Sequence, residues 1–198
     1  MNRKTLLITL LILSASTLFA AAPYYDSGSQ VFTITAGTNV PLSVTYYDNT
    51  EEDFVTKFGP GDENTNLTMG GYGALDYELF VNPYLAMGGE LGYQFNFAAD
   101  GNILSCVPIL YRLTYMPIQG TIETPISLGL GFNYMSYNGN SKFTLMGQLN
   151  VGARYYFTSS WGVGIQSGIS WSPEWYDEKE KNGHITFIPI NLTVTYRQ

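Results

Sequence analysis

The chain has 198 residues, enough for one domain with a sizeable core, and only 13% of them are charged, about half the usual share in soluble domains. Its net charge of −7 excludes the basic patch that nucleic-acid binding needs. A single cysteine, Cys106, and a single histidine, His184, exclude a disulfide framework and a zinc site built from several such ligands. We therefore expect no cofactor, no metal and no nucleic-acid partner.

The first 22 residues have the features of a secretory signal peptide. Basic residues at positions 3 and 4 precede an apolar run at 6–13, and small residues at 20–22 offer a cleavage site. An uncleaved helical anchor is the alternative, but this run is shorter than the roughly 20 residues that a membrane helix needs. The sequence thus predicts a signal peptide over residues 1–22 and one domain over residues 23–198.

From Phe32 onward, apolar residues occupy every second position. In the first such segment, Phe32, Ile34 and Ala36 alternate with Thr33 and Thr35. A period of two indicates β-strands, because an α-helix repeats about every 3.6 residues. The pattern recurs in eight segments, at residues 32–46, 67–79, 85–97, 107–115, 126–134, 143–157, 161–171 and 188–196. An even number of such strands is typical of a membrane barrel with both termini on one side.

The polar face of these segments distinguishes a membrane barrel from a soluble one. It consists mostly of Gly, Ser, Thr, Asn and Gln, which make a poor solvent surface but can fill a narrow lumen. Aromatic residues cluster near the segment ends, as in membrane-interface girdles, although strands favour aromatic residues in general. The predicted girdle comprises Tyr77, Phe80, Tyr115, Tyr155, Phe157, Trp161 and Tyr196 at one rim, and Tyr46, Phe95, Phe97, Tyr134, Phe143 and Trp171 at the other. The sequence therefore predicts an all-β, eight-stranded antiparallel up-and-down transmembrane β-barrel.

The connections between segments differ in length on the two sides of the predicted barrel. Those at 80–83, 117–120 and 158–160 are short and nearly uncharged, whereas those at 48–64 and 174–183 are long and acidic. Membrane barrels of this type have short periplasmic turns and longer outer loops. We therefore expect both termini to be periplasmic and the acidic loops to be extracellular.

Five charged residues fall on the predicted inward face: Asp76, Glu78, Glu90, Arg112 and Arg154. Counting outward from the loop between the third and fourth segments places Gly88 directly opposite Arg112 on the neighbouring strand. Glu90 then lies diagonally across from Arg112. Because an unpaired buried charge is costly, we expect an ionic network around Arg112, with Arg154 reaching the acidic residues of the second segment from the far wall. Such a network either fills the lumen or acts as a gate for small solutes.

These features resemble the small outer-membrane barrels of the OmpA, OmpX and OmpW type over nearly the whole mature chain. The resemblance rests on the signal peptide, the eight segments, the Val-Asn-Pro-Tyr-Leu turn at 81–85 and the terminal strand at 188–196. That strand resembles a C-terminal sorting signal, although Arg197 and Gln198 follow its aromatic Tyr196. The resemblance implies a monomer in outer-membrane lipid, inserted with the help of the barrel-assembly machinery.

Three functions are compatible with these features. The first is a non-enzymatic barrel, either structural or a narrow conduit for small or apolar solutes. Glycines on adjacent strands would then either make a weak point in the wall between those strands or allow close packing and curvature of the barrel. These glycines are Gly70, Gly71, Gly73, Gly88, Gly89 and Gly92. The second is surface adhesion through the acidic loops. The third is a lipid acyl-modifying enzyme with His184 as base and Thr186 beside it, but such deacylases carry serine there, so we expect no enzymatic activity.

Overall fold

The structure is a computed structural model that describes residues 23–48, 52–174 and 182–198. The predicted signal peptide lies outside these described residues, as do Glu51, Asp177, Glu178 and Glu180 of the predicted acidic loops. Within the described ranges, no helix is both long and apolar enough to cross a membrane.

The described residues form ten β-strands. Eight of them make the wall: β1 (Gln30–Asp48), β3 (Gly70–Asn82), β4 (Leu85–Phe97), β5 (Ile103–Tyr115), β7 (Ile126–Tyr137), β8 (Asn140–Tyr156), β9 (Trp161–Glu174) and β10 (Gly183–Arg197). Two short strands, β2 (Asp53–Phe58) and β6 (Ile122–Glu123), pair with the ends of β1 and β8.

The wall is a closed antiparallel sheet. Each wall strand pairs with the next one along the chain, and β10 pairs with β1 to complete the ring. The closing ladder runs from Val31 opposite Arg197 to Tyr46 opposite Gly183, with a register shift between Pro41 and Ser43. Closure removes the free edges that an open sheet would present. The predicted eight-stranded up-and-down barrel is confirmed.

Side chains alternate between the two faces of the wall. Outward-facing Leu192 and Ile165 are 67% and 63% exposed, whereas inward-facing Asn133 and Thr195 are fully buried. Apolar side chains therefore cover the outside and polar ones fill the inside, which is the reverse of a soluble protein. This arrangement is that of a transmembrane barrel, whose outer face contacts lipid.

The two ends of the barrel differ. We call the end with the connections 83–84, 116–121 and 157–160 the turn end, and it also carries both described termini. The opposite end, with the connections 98–102 and 138–139, is called the loop end.

The structure corrects the sequence prediction at the strand ends. Residues 48–64, predicted as a loop, contain β2, because β1 continues to Asp48 and pairs with it. The second wall strand begins at Gly70 and not at Leu67. Leu67, predicted to face lipid, is buried at the loop end, where it forms an isolated bridge with Ala98.

Among the predicted girdle residues, the assignment of Phe80 is wrong. Phe80 is fully buried, because it lies on the inward-facing positions of β3, and its ring stacks on Tyr25 with centroids 3.9 Å apart. The remaining girdle residues lie on the outer face and are exposed or half-exposed. At the turn end, for example, the rings of Trp161 and Tyr196 lie 5.0 Å apart on neighbouring strands.

Candidate functional site

Arg112 is the centre of a buried ionic network inside the barrel. Its Nη1 donates to Asp76 Oδ1 at 2.8 Å and to Glu90 Oε2 at 2.5 Å, and its Nε lies 4.0 Å from Glu78 Oε1. The predicted register is confirmed, since Gly88 lies directly opposite Arg112. Arg112 is only 1% exposed, so these interactions lie outside the screening effect of bulk water.

Neutral side chains extend the network across the lumen. The Tyr72 hydroxyl donates to Glu90 Oε1 at 2.5 Å and accepts from Gln148 Nε2 at 3.3 Å, which connects β3 to β8 on the opposite wall. On the other side, the Thr114 hydroxyl binds both Glu78 and the Ser127 hydroxyl. An eight-stranded barrel is just wide enough to be filled by its own side chains. The network therefore spans the lumen from β3 to β8.

A second polar layer fills the lumen nearer the loop end. Asn39 Nδ2 donates to Asn96 Oδ1 at 2.8 Å, and Asn96 Nδ2 donates to the backbone carbonyls of Asn39 and Thr68. Gln94 lies on the same inward face and is 1% exposed. These amides lie between the ionic network and the loop end.

Arg154 does not join the Arg112 network, contrary to the sequence prediction. It lies opposite Glu123 of β6 and interacts with that carboxylate electrostatically. The prediction failed because Glu123 lies between the predicted connection at 117–120 and the predicted segment at 126–134, so it was not among the expected partners. In the structure this connection folds against β8, which buries Glu123 completely.

Glu123 anchors a cluster at the turn end that we call the terminal clamp: Tyr24, Tyr25, Glu123, Tyr156 and Arg197. Arg197 Nη1 donates to Glu123 Oε1 at 2.5 Å, and Tyr25 donates its hydroxyl to the same oxygen at 2.7 Å. The Arg197 guanidinium carbon lies 3.7 Å from the centre of the Tyr24 ring and 3.6 Å from that of Tyr156. Burial raises the pKa of the Tyr25 hydroxyl, so Tyr25 remains a donor. The clamp joins both ends of the described chain.

A cup opens at the loop end of the barrel. It has a volume of about 610 Å³, which is within the usual range for sites that bind small molecules. Polar groups surround it, including Asn66, Asn140, Ser141, His184 and the Lys142–Glu174 ion pair. The two charges of the ion pair have opposite signs, so the rim suits a polar head group without a net charge.

The floor of the cup is apolar. Leu67, Leu104, Met135 and Ile185 line the cup, and they belong to a buried cluster that also contains Cys106. A cup with polar walls above an apolar floor is complementary to an amphipathic molecule whose apolar part points into the barrel. This site could not be predicted from the sequence, because its floor comes from three strand ends and from the segment that precedes β3.

His184 lies on the rim of the cup. Its Nε2 lies 3.1 Å from Thr45 Oγ1, which also contacts the Thr56 hydroxyl at 2.8 Å. Thr186, the residue considered with it, is buried and lies opposite Ser43. Among the described residues, the side-chain hydroxyl beside the His184 ring is that of Thr45, and the contact is that of a rim side chain.

The glycine-rich wall between β3 and β4 has an unbroken ladder, from Gly71 opposite Phe95 to Phe80 opposite Ala86. A Cβ at Gly88 would lie 1.9 Å from the backbone oxygen of Tyr77. The close approach of β3 and β4 at this point therefore requires glycine. The glycines therefore support close packing here, and no lateral break accompanies them.

Comparisons with known proteins agree with this architecture. The chain is 31% identical over 101 residues to an uncharacterized protein of Treponema pallidum (strain Nichols), covering 51% of this chain and 46% of that relative. It is 26% identical over 152 residues to an uncharacterized protein of Borreliella burgdorferi, covering 66% of this chain and 71% of the relative. The chain thus spans about half the length of its Treponema relative.

Among solved structures, the crystal structure of Neisserial surface protein A is similar, with a TM-score of 0.57 and 12% sequence identity. The alignment covers 86% of this chain and 97% of that protein, so the two share a fold. The model of a Treponema family of unknown function also matches residues 16–196 of this chain. The protein is therefore a β-barrel of the outer-membrane type, and it belongs to this Treponema family of unknown function.

Proposed function

We propose that this protein is a non-enzymatic binding barrel of the bacterial outer membrane, with a sealed lumen and a loop-end cup that holds a small amphipathic molecule. The apolar outer face and the fold shared with Neisserial surface protein A support the membrane location. Both termini would then face the periplasm, and the cup would open to the exterior. The observation that carries the proposal is the 610 Å³ cup with an apolar floor above a filled lumen.

The filled lumen favours binding at the cup over free passage through the barrel. A solute moving straight down the axis would meet the amide layer of Asn39 and Asn96 and then the Arg112 network. Each layer is held by several hydrogen bonds, and opening either would leave buried polar groups unpaired. A pore is therefore a weaker interpretation than a binding site closed from below.

The binding proposal is tested by measuring how much 1-octanol the purified barrel retains in native mass spectrometry. In Leu104→Trp the larger side chain fills the cup floor, so we expect octanol retention to be lost. Leu128→Trp is the matched control, because Leu128 faces outward on β7. Equal retention in both variants would refute a site in the cup.

The folded state of each variant is checked by its heat-modifiable migration on gels. Should Leu104→Trp fail to fold, Ser141→Trp narrows the same cup from its exposed rim and should also reduce retention. A folded Ser141→Trp barrel with wild-type retention would contradict the proposal.

A further inference from the structure

Two side-chain amides lie on the rim of the cup. Asn66 belongs to the segment before β3 and Asn140 is the first residue of β8, and both line the cup. Within the described part of the chain, neither side-chain amide is hydrogen-bonded to another residue. A carboxamide has two N–H donors and one carbonyl acceptor, so each amide can bind two neighbouring hydroxyl groups of a ligand.

The backbone of Asn66 is held in a specific conformation. Its φ is +59°, an uncommon value that asparagine tolerates better than most residues. Its N–H donates to the Gly61 carbonyl at 3.0 Å, and its carbonyl accepts from the Ala99 N–H at 3.1 Å. Because both backbone groups are already hydrogen-bonded, the side-chain amide is the polar part of Asn66 that remains for a ligand.

Tyr137 contributes an aromatic ring to the same rim. It lines the cup and packs against the buried cluster of the floor. Its hydroxyl donates to Asp100 Oδ2 at 2.7 Å, and the same oxygen accepts from Asn102 Nδ2 at 2.9 Å. The hydroxyl is therefore already engaged, and the ring is the part of Tyr137 that a ligand in the cup can contact.

The charges on the rim cancel. Among the described residues that line the cup, Lys142 and Glu174 carry the formal charges, and they form an ion pair. A charged head group would lose hydration in the cup without an opposite charge to compensate for the loss. A sugar is neutral, carries adjacent hydroxyl groups, and has an apolar C–H face that can lie against an aromatic ring.

We propose that the ligand of the cup is an amphipathic glycoside, in which one apolar chain is joined to a neutral sugar head group. The proposal rests on the proposed function, because the apolar chain occupies the floor formed by Leu104 and Met135. Asn66 and Asn140 bind adjacent hydroxyls of the sugar, and the ring of Tyr137 contacts its apolar face.

The test compares three ligands that share an octyl chain and differ only in the head group. They are 1-octanol, tetraethylene glycol monooctyl ether and octyl β-glucoside, each below its micelle concentration. Pairs of these ligands compete for the purified barrel, and native mass spectrometry measures the ratio retained. One neutral hydrogen bond changes affinity about two- to tenfold, so we expect octyl glucoside to bind about tenfold or more tightly than the other two.

A matched pair of variants tests the role of the rim amide. Asn66→Gly removes the amide and keeps a residue that adopts positive φ, so we expect the preference for octyl glucoside over octanol to fall about two- to tenfold. Asn138→Gly is the control, because Asn138 also has a positive φ at the loop end but does not line the cup. Its preference should equal that of the wild type.

Two further substitutions keep the test decisive if Asn66→Gly does not fold. Asn140→Ala removes the second amide and should lower the preference by a similar factor. Tyr137→Leu removes the aromatic ring and should also lower it, whereas Tyr137→Phe retains the ring and should preserve more of the preference. Wild-type preference in every folded variant would contradict the assigned sugar contacts.

The outcomes separate this proposal from the proposed function. Failure to retain any of the three octyl ligands would refute the cup as a binding site. Retention of octanol with no preference for octyl glucoside would overturn the sugar head group alone. Methyl β-glucoside, which lacks the chain, should bind at least about tenfold more weakly than octyl glucoside; equal binding would indicate a site for free sugar and would overturn the amphipathic ligand.

Discussion

Replacing Arg112 with alanine removes the only cation that the structure places among Asp76, Glu78 and Glu90. Two hydrogen-bonded ion pairs, at 2.8 and 2.5 Å, are lost, and three buried carboxylates remain without their counter-charge. Breaking a buried pair by removing one partner costs about 3–5 kcal/mol. We expect a loss of unfolding free energy of this size, measured by urea unfolding in lipid vesicles with tryptophan fluorescence.

The comparison with Lys142→Ala makes this expectation specific. Lys142 also forms an ion pair with a carboxylate, but its side chain is 37% exposed, so its removal should cost less than about 1 kcal/mol. Arg112→Lys keeps the positive charge but loses the planar guanidinium group. Its loss of unfolding free energy should therefore lie between those of Arg112→Ala and Lys142→Ala. Equal losses for Arg112→Ala and Lys142→Ala would refute the view that the lumen network stabilises the barrel.

The Arg112→Ala variant also tests whether the Arg112 network only fills the lumen or acts as a gate for small solutes. We expect Arg112→Ala and wild type to show the same conductance in planar bilayers, because the Asn39–Asn96 hydrogen bonds remain in place nearer the loop end. A conducting Arg112→Ala barrel would favour the gate interpretation.

Three further predictions concern other parts of the barrel. Gly88→Ala should reduce the folded, heat-modifiable fraction because its Cβ would meet backbone at 1.9 Å, whereas Gly89→Ala, with 3.7 Å of space, should fold like wild type. Arg197→Ala should lower the unfolding free energy by about 3 kcal/mol, since it removes the cation that is hydrogen-bonded to the buried Glu123 carboxylate; a wild-type urea midpoint would contradict the clamp. Hydrogen bonds from Asn102 and then Tyr137 lower the pKa of Asp100, so Tyr137→Phe should raise that pKa in an NMR titration, and an unchanged pKa would rule out the contact.

The wall of the barrel could be predicted from the sequence because strand alternation is a local property. Successive side chains of a strand point to opposite faces, so apolar residues at every second position identify the outer face without knowledge of neighbouring strands. Register across a hairpin is also nearly local, which is why Gly88 could be placed opposite Arg112. Where the alternation ended, at Leu67 and Phe80, the same reasoning failed.

The clamp and the cup could not be predicted, because their residues come from distant parts of the chain. Tyr25 and Glu123 are 98 residues apart, and Arg197 and Glu123 are 74 apart, yet they share one carboxylate oxygen. In the sequence, Arg197 is notable only because it follows Tyr196, the aromatic residue that ends the predicted sorting strand. Its contact with Glu123 exists only in the closed barrel. Arg154, likewise, meets Glu123 because a connection folds under the barrel.

The sequence by itself determined that the chain forms eight membrane-type strands with a polar interior, since hydrophobic periodicity is encoded residue by residue. The tertiary structure decided which buried charges meet and which side chains fill the lumen. Contacts of this kind depend on ring closure and strand stagger, which are properties of the whole barrel and not of any single segment.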